Sequence, residues 1–453
     1  MSAIKAIPQD VLDVLQTLTN SGFQAYLVGG CVRDSLLGLP VKDWDVTTNA
    51  RPDQVQKCWP RRQVLETGLR HGTLTVLLNG MPVEITSYRG CSEDTPNQDP
   101  AGDLAHDLSR RDFTINALAY HPEEGLIDPC GGLEDLWAGR ISCVGDPEAR
   151  LREDPLRILR ALRFSATLGF AIEPRTRSNL NRCRELLAGV AAERLAAELM
   201  RLLAGSYVKK TLLTAREILA VFLPEIAATF DFDQCSPYHC WDVWRHTAES
   251  VSAMGDQDAS LAKAGHPWTL LRLVMLLHDL GKPLCFSRDR QGIGHFYGHP
   301  QISAALAHQI LRRLKVSTHT LATVKTLVLY HDTAIEPQPK SVRRWLYRLG
   351  AENLIRLLHV KRADTLAHNP AYHDRLGVIA EVQSLIEETI KQGYCFTRHQ
   401  LKITGSDLLA LGIPAGPQIG ALLDTLMDLV LDEVCPNERE ALLTAASRIL
   451  QRC

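Results

Sequence analysis

A Gly-Gly turn between a short apolar run and a helix-like segment is the feature that most constrains this chain of 453 residues. It lies in LVGGCVRDSLLGLPVKDWDVTT, residues 27–48. Glycine there lets the backbone approach a ligand, and the N–H groups that open the next helix are free to bind phosphate. Asp43 and Asp45 alternate along a predicted strand, so both carboxylates project from one face. Two carboxylates so placed predict a pair of magnesium ions.

Strand signals are concentrated in the first 150 residues. Asn79-Gly80 separates two alternating apolar runs, which is a strong hairpin signal. From about residue 150 onward helical spacing dominates, and residues 151–170 are predicted to form one helix that ends at Gly169. We therefore predict an α+β fold with a small mixed-sheet head at 1–145, an all-α neck at 146–230, a body at 231–370 and a tail at 371–453.

Composition excludes several classes of protein. The chain has 50 Lys and Arg against 52 Asp and Glu, so it is not a uniformly basic nucleic-acid-binding protein. It has no apolar run of the roughly 18 residues that a membrane span needs, and its first residues lack a secretory signal. Its 12 cysteines are dispersed without a CxxC pair, which predicts reduced thiols and a cytoplasmic protein. The oligomeric state is left open.

The order GG-x-VRD-x-LLG followed by DxD resembles the head of the class II tRNA nucleotidyltransferases, the CCA-adding enzymes and bacterial poly(A) polymerases. Three later segments agree with that family in order and spacing: SRRDFTINALAY (109–120), LIDPCGGLEDL (126–136) and REDPLRILRALRF (152–164). The resemblance implies a polymerase-beta-like head that uses Mg²⁺. It also implies addition of CMP and then AMP, from CTP and ATP, to the tRNA 3′ end.

The resemblance implies a set of contacts in the head: Gly30 and Arg33 for the triphosphate, Asp43 and Asp45 for magnesium, and Arg111 and Asp112 for the phosphates and sugar. Glu84, on the second hairpin strand, is either an accessory carboxylate or an outward-facing surface residue.

Charged side chains recur at every third residue of the helix predicted over about 153–164: Asp154, Arg157, Arg160 and Arg163. Asp154 offers only acceptors and Arg157 only donors. Cytosine and adenine each present an amino donor beside a ring-nitrogen acceptor, so one Asp–Arg pair satisfies both. Uracil and guanine reverse that polarity, at a cost of about 1–3 kcal/mol per unsatisfied buried group. By resemblance this pair is the amino-acid template and Arg160 and Arg163 contact phosphate or base; the alternative is an ordinary surface ion pair.

Most histidines fall on helical patterns of the body. Adjacent His278-Asp279, with distant His and Asp, resembles the HD superfamily of metal-dependent phosphohydrolases. By matching position the ligands would be His246, His278, Asp279 and Asp364, with His299 and His331 as the extra ligands of two-metal versions. His and carboxylate ligands suit Mn, Fe, Ni or Zn. Such a site could activate water to attack a phosphate ester, whereas a single helical histidine is more often structural.

The tail segment at 401–420 is similar to the part of the same enzymes that touches tRNA. The resemblance therefore implies the tRNA acceptor stem and T-arm as partners. Lys and Arg of the neck and body could hold their backbone phosphates: Arg175, Arg177, Lys340, Arg343, Arg344, Lys361 and Arg362.

The loop at 90–106 departs from the family because it is shorter and contains no Arg or Lys. Relatives with a shortened loop stop after two C residues, so a CC-adding enzyme is the first alternative. A poly(A) polymerase is the second, and an HD phosphohydrolase with a nucleotide-sensing head is the third.

Overall fold

The computed structural model describes residues 4, 7–60, 63–68, 72–88, 104–255 and 268–451. The chain divides into two compact units: Met1–Tyr207 with Glu217–Phe222, and Val208–Arg216 with Leu223–Cys453. This division is coarser than the four predicted domains, whose boundaries therefore stay a prediction. Most of the loop predicted at 90–106 lies outside the described residues.

A mixed sheet forms the centre of the first unit. Its described strands are β1 (Ala25–Val28), β2 (Trp44–Thr48), β3 (Val64–Gly68), β4 (Thr73–Leu78), β5 (Met81–Ser87), β6 (Ala119–His121) and β7 (Gly125–Ile127), in the order β3-β4-β5-β2-β1-β6-β7. β2 and β5 pair in parallel, whereas β4 and β5 form the antiparallel hairpin predicted at Asn79-Gly80. Both turn residues have positive φ, 48° and 86°, as a type I′ turn requires.

Helices cover this sheet and continue into the neck: α1 (Gln9–Asn20), α2 (Gly30–Leu36), α3 (Pro52–Cys58), α4 (Leu104–Ser109), α5 (Gly132–Trp137), α6 (Pro147–Glu153), α7 (Leu156–Leu168), α8 (Pro174–Cys183) and α9 (Ala192–Leu203). Short 3₁₀ turns lie at Thr114–Asn116 and Arg184–Gly189. α1 buries the face formed by Val11, Val14, Leu15 and Leu18, the apolar positions that its helical spacing indicates.

The single helix predicted over 151–170 is wrong, because the chain forms two helices that are separated at Asp154 and Pro155. Asp154 has extended backbone angles, φ −142° and ψ 98°. Proline disfavours the helical conformation of the residue before it and has no N–H to donate, so α6 ends there. α7 ends where predicted, at Gly169 with a φ of 76°.

The placement of both predicted metal carboxylates on one strand is also wrong. β2 begins at Trp44, so Asp45 lies on the strand, whereas Asp43 is the residue that precedes it. Trp44 pairs with Val83 of β5, and extending this register by one residue would bring Asp43 opposite Pro82. Proline has no N–H for a ladder hydrogen bond, which ends the pairing at that point.

The second unit is mainly helical: α10 (Val208–Thr214), α11 (Arg216–Leu219, shared with the first unit), α12 (Val243–Ala253), α13 (Trp268–Leu277), α14 (His299–Arg313), α15 (Thr318–Tyr330), α16 (Pro339–Ala367), α17 (Arg375–Lys391), α18 (Gly405–Ala410), α19 (Pro417–Leu431) and α20 (Arg439–Leu450). Its 3₁₀ turns are Pro224–Thr229, Lys282–Leu284, Pro370–Tyr372 and Arg398–Gln400. α16 is interrupted at Gly350, whose φ is 74°.

Three elements correct the expectation that strands disappear after residue 150. β9 (Ala171–Ile172) pairs with β8 (Arg140–Ile141), and β10 (Ser287–Arg288) pairs with β11 (Gly294–His295).

Among the described helices, none combines the length and apolar character that crossing a membrane requires. The cysteines of the described residues are free thiols.

Candidate functional site

A cleft of about 560 Å³ in the first unit gathers most of the residues predicted for the head and the template. The predicted residues that line it are Asp45, Arg111, Asp112, Asp154, Arg157 and Arg160. Gly30, Arg33, Asp43 and Arg163 lie outside its described lining. The β2 strand, the segment after α4 and the break between α6 and α7 therefore converge on one opening.

Gly29 allows Arg111 and Asp45 to lie close to the backbone between β1 and α2. Its φ is 74°, and a side chain there would place a Cβ 2.9 Å from Nη1 of Arg111 and 3.9 Å from Oδ2 of Asp45. A residue larger than glycine would therefore push Arg111 away from Asp45. The next glycine, Gly30, is the first residue of α2. A Cβ built on Gly30 would lie 3.8 Å from Nη2 of Arg33.

Carboxylates crowd together around Asp45. Glu84 is its direct cross-strand partner on β5. Burial raises the pKa of Asp45 to about 6, and the negative charges of Glu84 and Asp43 act in the same direction. The positive charge of Arg111 opposes this shift. A bound cation would relieve this repulsion, so the oxygen donors present fit a divalent metal ion.

A chain of hydrogen bonds connects α2 to α7. The Arg33 guanidinium donates to Oδ1 of Asn116 at 2.6 Å, and Asn116 Nδ2 donates to Oδ1 of Asp112 at 3.0 Å. Nε and Nη2 of Arg160 then approach Oδ2 of Asp112 at 2.8 and 2.6 Å. Burial of Asp112 opposes ionisation, but the charge of Arg160 and these hydrogen bonds hold its pKa below the usual range.

The base-selecting pair expected from sequence is not an ion pair in the structure. Asp154 binds Arg194 of α9, with Oδ2 at 3.0 Å from Nη2. Arg157 is buried and donates from Nη1 to Glu153 at 2.7 Å and to the carbonyl of Arg150 at 3.0 Å. The helix break at Pro155 separates the two side chains, which is why the expected i, i+3 contact does not form.

Arg163 points to a second buried carboxylate, Glu198 of α9, with Nε at 3.1 Å from Oε2. Arg201 shares Glu198 at 2.9 Å. Burial and the neighbouring charge of Arg160 lower the pKa of Arg163 to about 10. The Arg163 guanidinium also lies 4.2 Å from the centre of the Phe164 ring, so its position is fixed on two sides.

Four residues that hold this network were not predicted from the sequence: Asn116, Glu153, Arg194 and Glu198. Asn116 lies within residues 109–120 and Glu153 within residues 152–164, but neither has a chemical signal of its own. Arg194 and Glu198 lie on α9, about 40 residues after Asp154, where helical spacing predicts only an amphipathic helix.

The six histidine and aspartate residues predicted for the body are brought together by α12, α14, α15, α16 and the turn after α13. In one group, Nε2 of His246 lies 3.0 Å from Oδ1 of Asp364, and Nε2 of His278 lies 3.1 Å from Oδ2 of Asp279. The two Nε2 atoms are 3.4 Å apart. Spacings of this size are those of atoms that share one metal ion.

A second group lies on the other oxygen of Asp279. Nε2 atoms of His299 and His331 are 3.1 Å apart, at 3.5 and 3.7 Å from Oδ1 of Asp279. Asp279 thus faces one group with each carboxylate oxygen. Both oxygens are buried, and Oδ2 also lies 2.8 Å from Nζ of Lys282. A carboxylate that faces one histidine group with each oxygen is suited to bridge two metal positions.

The ring nitrogens that point away from the cluster, the Nδ1 atoms, are held by backbone carbonyls. Nδ1 of His278 donates to the carbonyl of Met275 at 2.7 Å, that of His299 to Phe296 at 2.8 Å and that of His331 to Val328 at 2.7 Å. Nδ1 of His246 lies 3.4 Å from the carbonyl oxygen of Ala367. A carbonyl only accepts, so these bonds place a hydrogen on Nδ1 and direct Nε2 toward the cluster. Burial opposes protonation of His278, yet Asp279 and Asp364 raise its pKa to about 10, so without a metal ion its Nε2 carries a proton that a bound cation would displace.

Two further histidines beside this cluster were not predicted. His239 and His368 each place one ring nitrogen within 4.8 Å of a ring nitrogen of His246. Lys282 lies beside them, 2.8 Å from Oδ2 of Asp279 and 3.4 Å from Nε2 of His239. His239 precedes α12 and stands apart from the predicted ligands in sequence. His368 lies four residues after Asp364, with Nε2 at 3.8 Å from Oδ1 of Asp364, so helical spacing could have indicated it.

Of the basic residues predicted as RNA contacts, three are bound to acidic residues of the second unit. Lys340 and Arg344 pair with Asp432 at 3.3 and 2.5 Å, and Arg343 pairs with Glu433 at 2.6 Å. Lys340 and Arg344 share one carboxylate, so these three cations face two acidic residues.

Three family models match the chain. The Poly A polymerase head domain matches residues 25–142, the probable RNA and SrmB-binding site of polymerase A matches 169–230, and the putative tRNA nucleotidyltransferase domain 2 matches 286–446. With the mixed-sheet head and its carboxylate site, these matches define a nucleotidyltransferase, an enzyme class that works with a divalent metal ion.

Relatives resemble the chain over nearly its whole length. A CCA-adding enzyme of Levilactobacillus brevis is 31% identical over 442 residues, covering 96% of both chains. One of Anoxybacillus flavithermus is 41% identical over 442 residues, covering 96% of this chain and 95% of that protein. The solved structure of the Bacillus stearothermophilus CCA-adding enzyme in complex with CTP has 26% identity and a TM-score of 0.73, covering 98% and 99% of the two chains. The chain belongs to the family of CCA-adding enzymes.

Proposed function

We propose that this enzyme adds CMP and then AMP, from CTP and ATP, to the 3′ end of tRNA. The observation that carries the proposal is the shared cleft, in which Asp45 and Arg111 line the same opening as Asp154 and Arg157. Asp45 and Arg111 suit the triphosphate and its metal ion, and Asp154 and Arg157 suit the hydrogen-bonding edge of a base. The cleft can therefore hold the triphosphate and the base of one nucleotide at the same time.

The head residues act on the phosphates. Magnesium, held by Asp45 with Asp43 and Glu84, would neutralise the triphosphate and favour ionisation of the attacking 3′ hydroxyl. Arg111 lies beside Asp45 and is placed to bind the phosphate oxygens. Arg33, fixed by Asp34 at 2.8 Å and by Asn116, keeps the start of α2 in position.

The residues at the α6–α7 break select the base. Three hydrogen bonds of Arg157, to Glu153, Arg150 and Arg110, hold its guanidinium from one side. A guanidinium has five N–H donors, so two are available to the acceptor of cytosine or adenine. Asp154, positioned by Arg194, accepts from the amino group. This division of labour does not require Asp154 and Arg157 to touch each other.

The test uses two tRNA transcripts, one ending at the discriminator base and one ending in CC, with Mg²⁺ and CTP, ATP or both. We expect growth by CCA from the first and by A from the second on a sequencing gel. Arrest at CC would instead identify a CC-adding enzyme, as the loop at 90–106 allows. Long products with ATP alone would identify a poly(A) polymerase, and no extension at all would contradict the proposal.

We propose a second activity, metal-dependent hydrolysis of phosphate esters, at the body cluster. The observation that favours it is the bridging position of Asp279 between His246 and His278 on one side and His299 and His331 on the other. Mn, Fe, Ni or Zn bound there would supply Lewis-acid activation of water. Lys282 then stands beside the ligands as a cation for the phosphate oxygens.

The second activity is tested by metal analysis of the purified full-length protein and by hydrolysis of p-nitrophenyl esters with each metal. His278→Ala should lower the metal content and abolish hydrolysis while leaving CMP addition intact. Asp45→Asn is the matched control, because it should abolish nucleotide addition and leave ester hydrolysis unchanged. Equal metal content in the wild type and His278→Ala would contradict the site.

A further inference from the structure

One face of the head sheet carries two rows of polar side chains across the strands β2, β5 and β4. Paired residues of neighbouring strands point to the same face, and so do residues two apart on one strand. The first row contains Asp45, Glu84 and Thr75, and the second row, two residues away along each strand, contains Thr47, Thr86 and Thr73. We refer to the second row as the threonine row.

Two members of the threonine row border the head cleft. Thr73 and Thr86 are half-buried and line the cleft together with Asp45 and Asp107. Thr47 is fully buried, and its hydroxyl lies 3.3 Å from two acceptors, Oδ2 of Asp107 and the carbonyl oxygen of Thr86. Thr47 is therefore bound within the protein, whereas its two neighbours are accessible from the cleft.

The hydroxyls of Thr73 and Thr86 have hydrogen-bonding capacity for a ligand. Their Oγ1 atoms are 2.9 Å apart, so one hydroxyl donates to the other. Because each hydroxyl has one donor and two acceptor lone pairs, the bonded pair still offers one O–H donor and three lone pairs. That combination suits another hydroxyl, which both donates and accepts, better than it suits an ionised phosphate oxygen, which only accepts.

The distance from the threonine row to the proposed metal position matches one ribose. Same-face neighbours along a strand, such as Asp45 and Thr47, are about 7 Å apart. Mg²⁺ lies about 2.1 Å from each oxygen ligand, so a 3′ oxygen on the ion held by Asp45 lies within about 4 Å of that carboxylate. The 2′ hydroxyl is on the adjacent carbon of the same ring, and a hydrogen bond from it spans the remaining distance.

The incoming nucleotide has other partners in the cleft. The family resemblance implies Arg111 and Asp112 for its phosphates and sugar, and Asp154 and Arg157 suit its base. The second substrate is the RNA, whose last nucleotide must bring the attacking 3′ oxygen to the metal. The threonine row is therefore available to the ribose of that nucleotide.

We propose that Thr86 and Thr73 bind the 2′ hydroxyl of the last nucleotide of the tRNA, so that the enzyme selects an RNA end over a DNA end. The inference rests on the proposed nucleotide addition and deepens it, because it assigns residues that hold the acceptor strand. The 2′ hydroxyl is the group by which a protein distinguishes RNA from DNA at one nucleotide. Holding it also orients the neighbouring 3′ oxygen toward the metal.

The experiment uses two tRNA molecules that end at the discriminator base and differ only in a ribose or a 2′-deoxyribose at that nucleotide. Addition of CMP by the full-length protein with Mg²⁺ gives kcat/KM for each, and their ratio measures the preference for ribose. Wild-type protein should prefer the ribose end. Thr86→Val, which keeps the branched shape and removes the hydroxyl, should lower the ratio about fivefold, the contribution of one neutral hydrogen bond.

Three further variants isolate the role of the hydroxyl. Thr73→Val should also lower the ratio, because the two hydroxyls are bonded to each other. Thr86→Ser keeps a hydroxyl and should keep the wild-type ratio. Thr48→Val is the matched control: it removes a hydroxyl of β2 that donates to the carbonyl of Gln24, outside the cleft lining, and should leave the ratio unchanged. Any intrinsic effect of the 2′ hydroxyl on the reactivity of the 3′ oxygen is common to all variants and cancels in the comparison.

An unchanged ratio in both Thr86→Val and Thr73→Val would overturn the assignment. So would a reduced preference for CTP over dCTP together with an unchanged preference at the RNA end, because the row would then hold the incoming sugar. Equal use of both tRNA ends by the wild type would overturn the inference and leave nucleotide addition standing. No addition of CMP to the ribose end would overturn the proposed function as well.

Discussion

The head cleft and the body cluster both hold buried charged side chains, but these have different kinds of partner. In the head, Arg160 and Arg163 each face a carboxylate, Asp112 and Glu198, so a guanidinium lies against each acidic group before any ligand arrives. In the body, Asp279 has one cation, Lys282, at 2.8 Å from Oδ2, and its other close neighbours are the imidazole nitrogens of four histidines. The head therefore pairs guanidinium with carboxylate, whereas the body gathers imidazole and carboxylate groups, the donor set that suits a transition metal.

The largest expected effect separates the two sites by activity. Asp45→Asn should lower CMP addition by about 10²–10³-fold, because it removes the strand carboxylate placed to hold the metal. Single-turnover incorporation of CMP into a tRNA transcript measures it. His331→Ala should retain full incorporation, and a loss of incorporation in that variant would break the proposed independence of the sites.

Metal content tests whether Asp279 bridges two positions. Asp279→Asn should lose nearly all bound transition metal, since both groups of histidines share that carboxylate. His331→Ala should keep about half of the wild-type content, because the group around His246 stays intact. Elemental analysis after identical metal loading gives the ratio. Equal losses in the two variants would argue against a two-metal arrangement.

A smaller effect is expected from Arg194→Ala, which removes the side chain that positions Asp154. Preference for CTP over UTP, measured as the ratio of kcat/KM values, should fall about tenfold, corresponding to roughly 1.4 kcal/mol. Stability should barely change, because exposed ion pairs contribute little. Arg184→Ala, which breaks an exposed pair with Glu185 outside the cleft, is the control. An unchanged ratio in Arg194→Ala would refute the positioning role.

An effect of similar size is expected on the free energy of unfolding. The pKa of Asp45 is about 6 in the folded protein, above its ordinary value, so its ionised form costs stability at pH above 6. Asp45→Asn should therefore raise the free energy of unfolding by about 1–2 kcal/mol at pH 7–8 in EDTA, allowing for partial solvent screening. The two proteins should converge as the pH falls below about 4. Denaturant unfolding at both pH values measures it, and a constant difference would contradict the assignment.

Local rules predicted much of the fold. The Asn79-Gly80 hairpin and the end of α7 at Gly169 each depend on residues adjacent in sequence. The prediction was wrong where two local rules competed, because helical spacing across 151–170 was given more weight than Pro155. The same competition separated Asp154 from Arg157, the one pair on which the sequence argument for base selection relied.

The sequence predicted which residues form the head cleft, but not which side chains they contact there. Motif order indicated Asp45, Arg111, Asp154 and Arg157, and the structure brings these to one cleft. Nothing in the spacing indicated that Arg194 would bind Asp154 from 40 residues away. A long-range contact depends on how the helices pack, and helical periodicity carries no information about that.

By itself, then, the sequence determined the mixed-sheet head, the helical remainder and the residue types of both sites, because turn chemistry and hydrophobic periodicity act between near neighbours. Only the tertiary structure decided that Asp279 faces two groups of histidines and that Thr73 and Thr86 border the cleft that Asp45 lines. Those arrangements join residues that are tens of positions apart, and packing alone sets the distance between them.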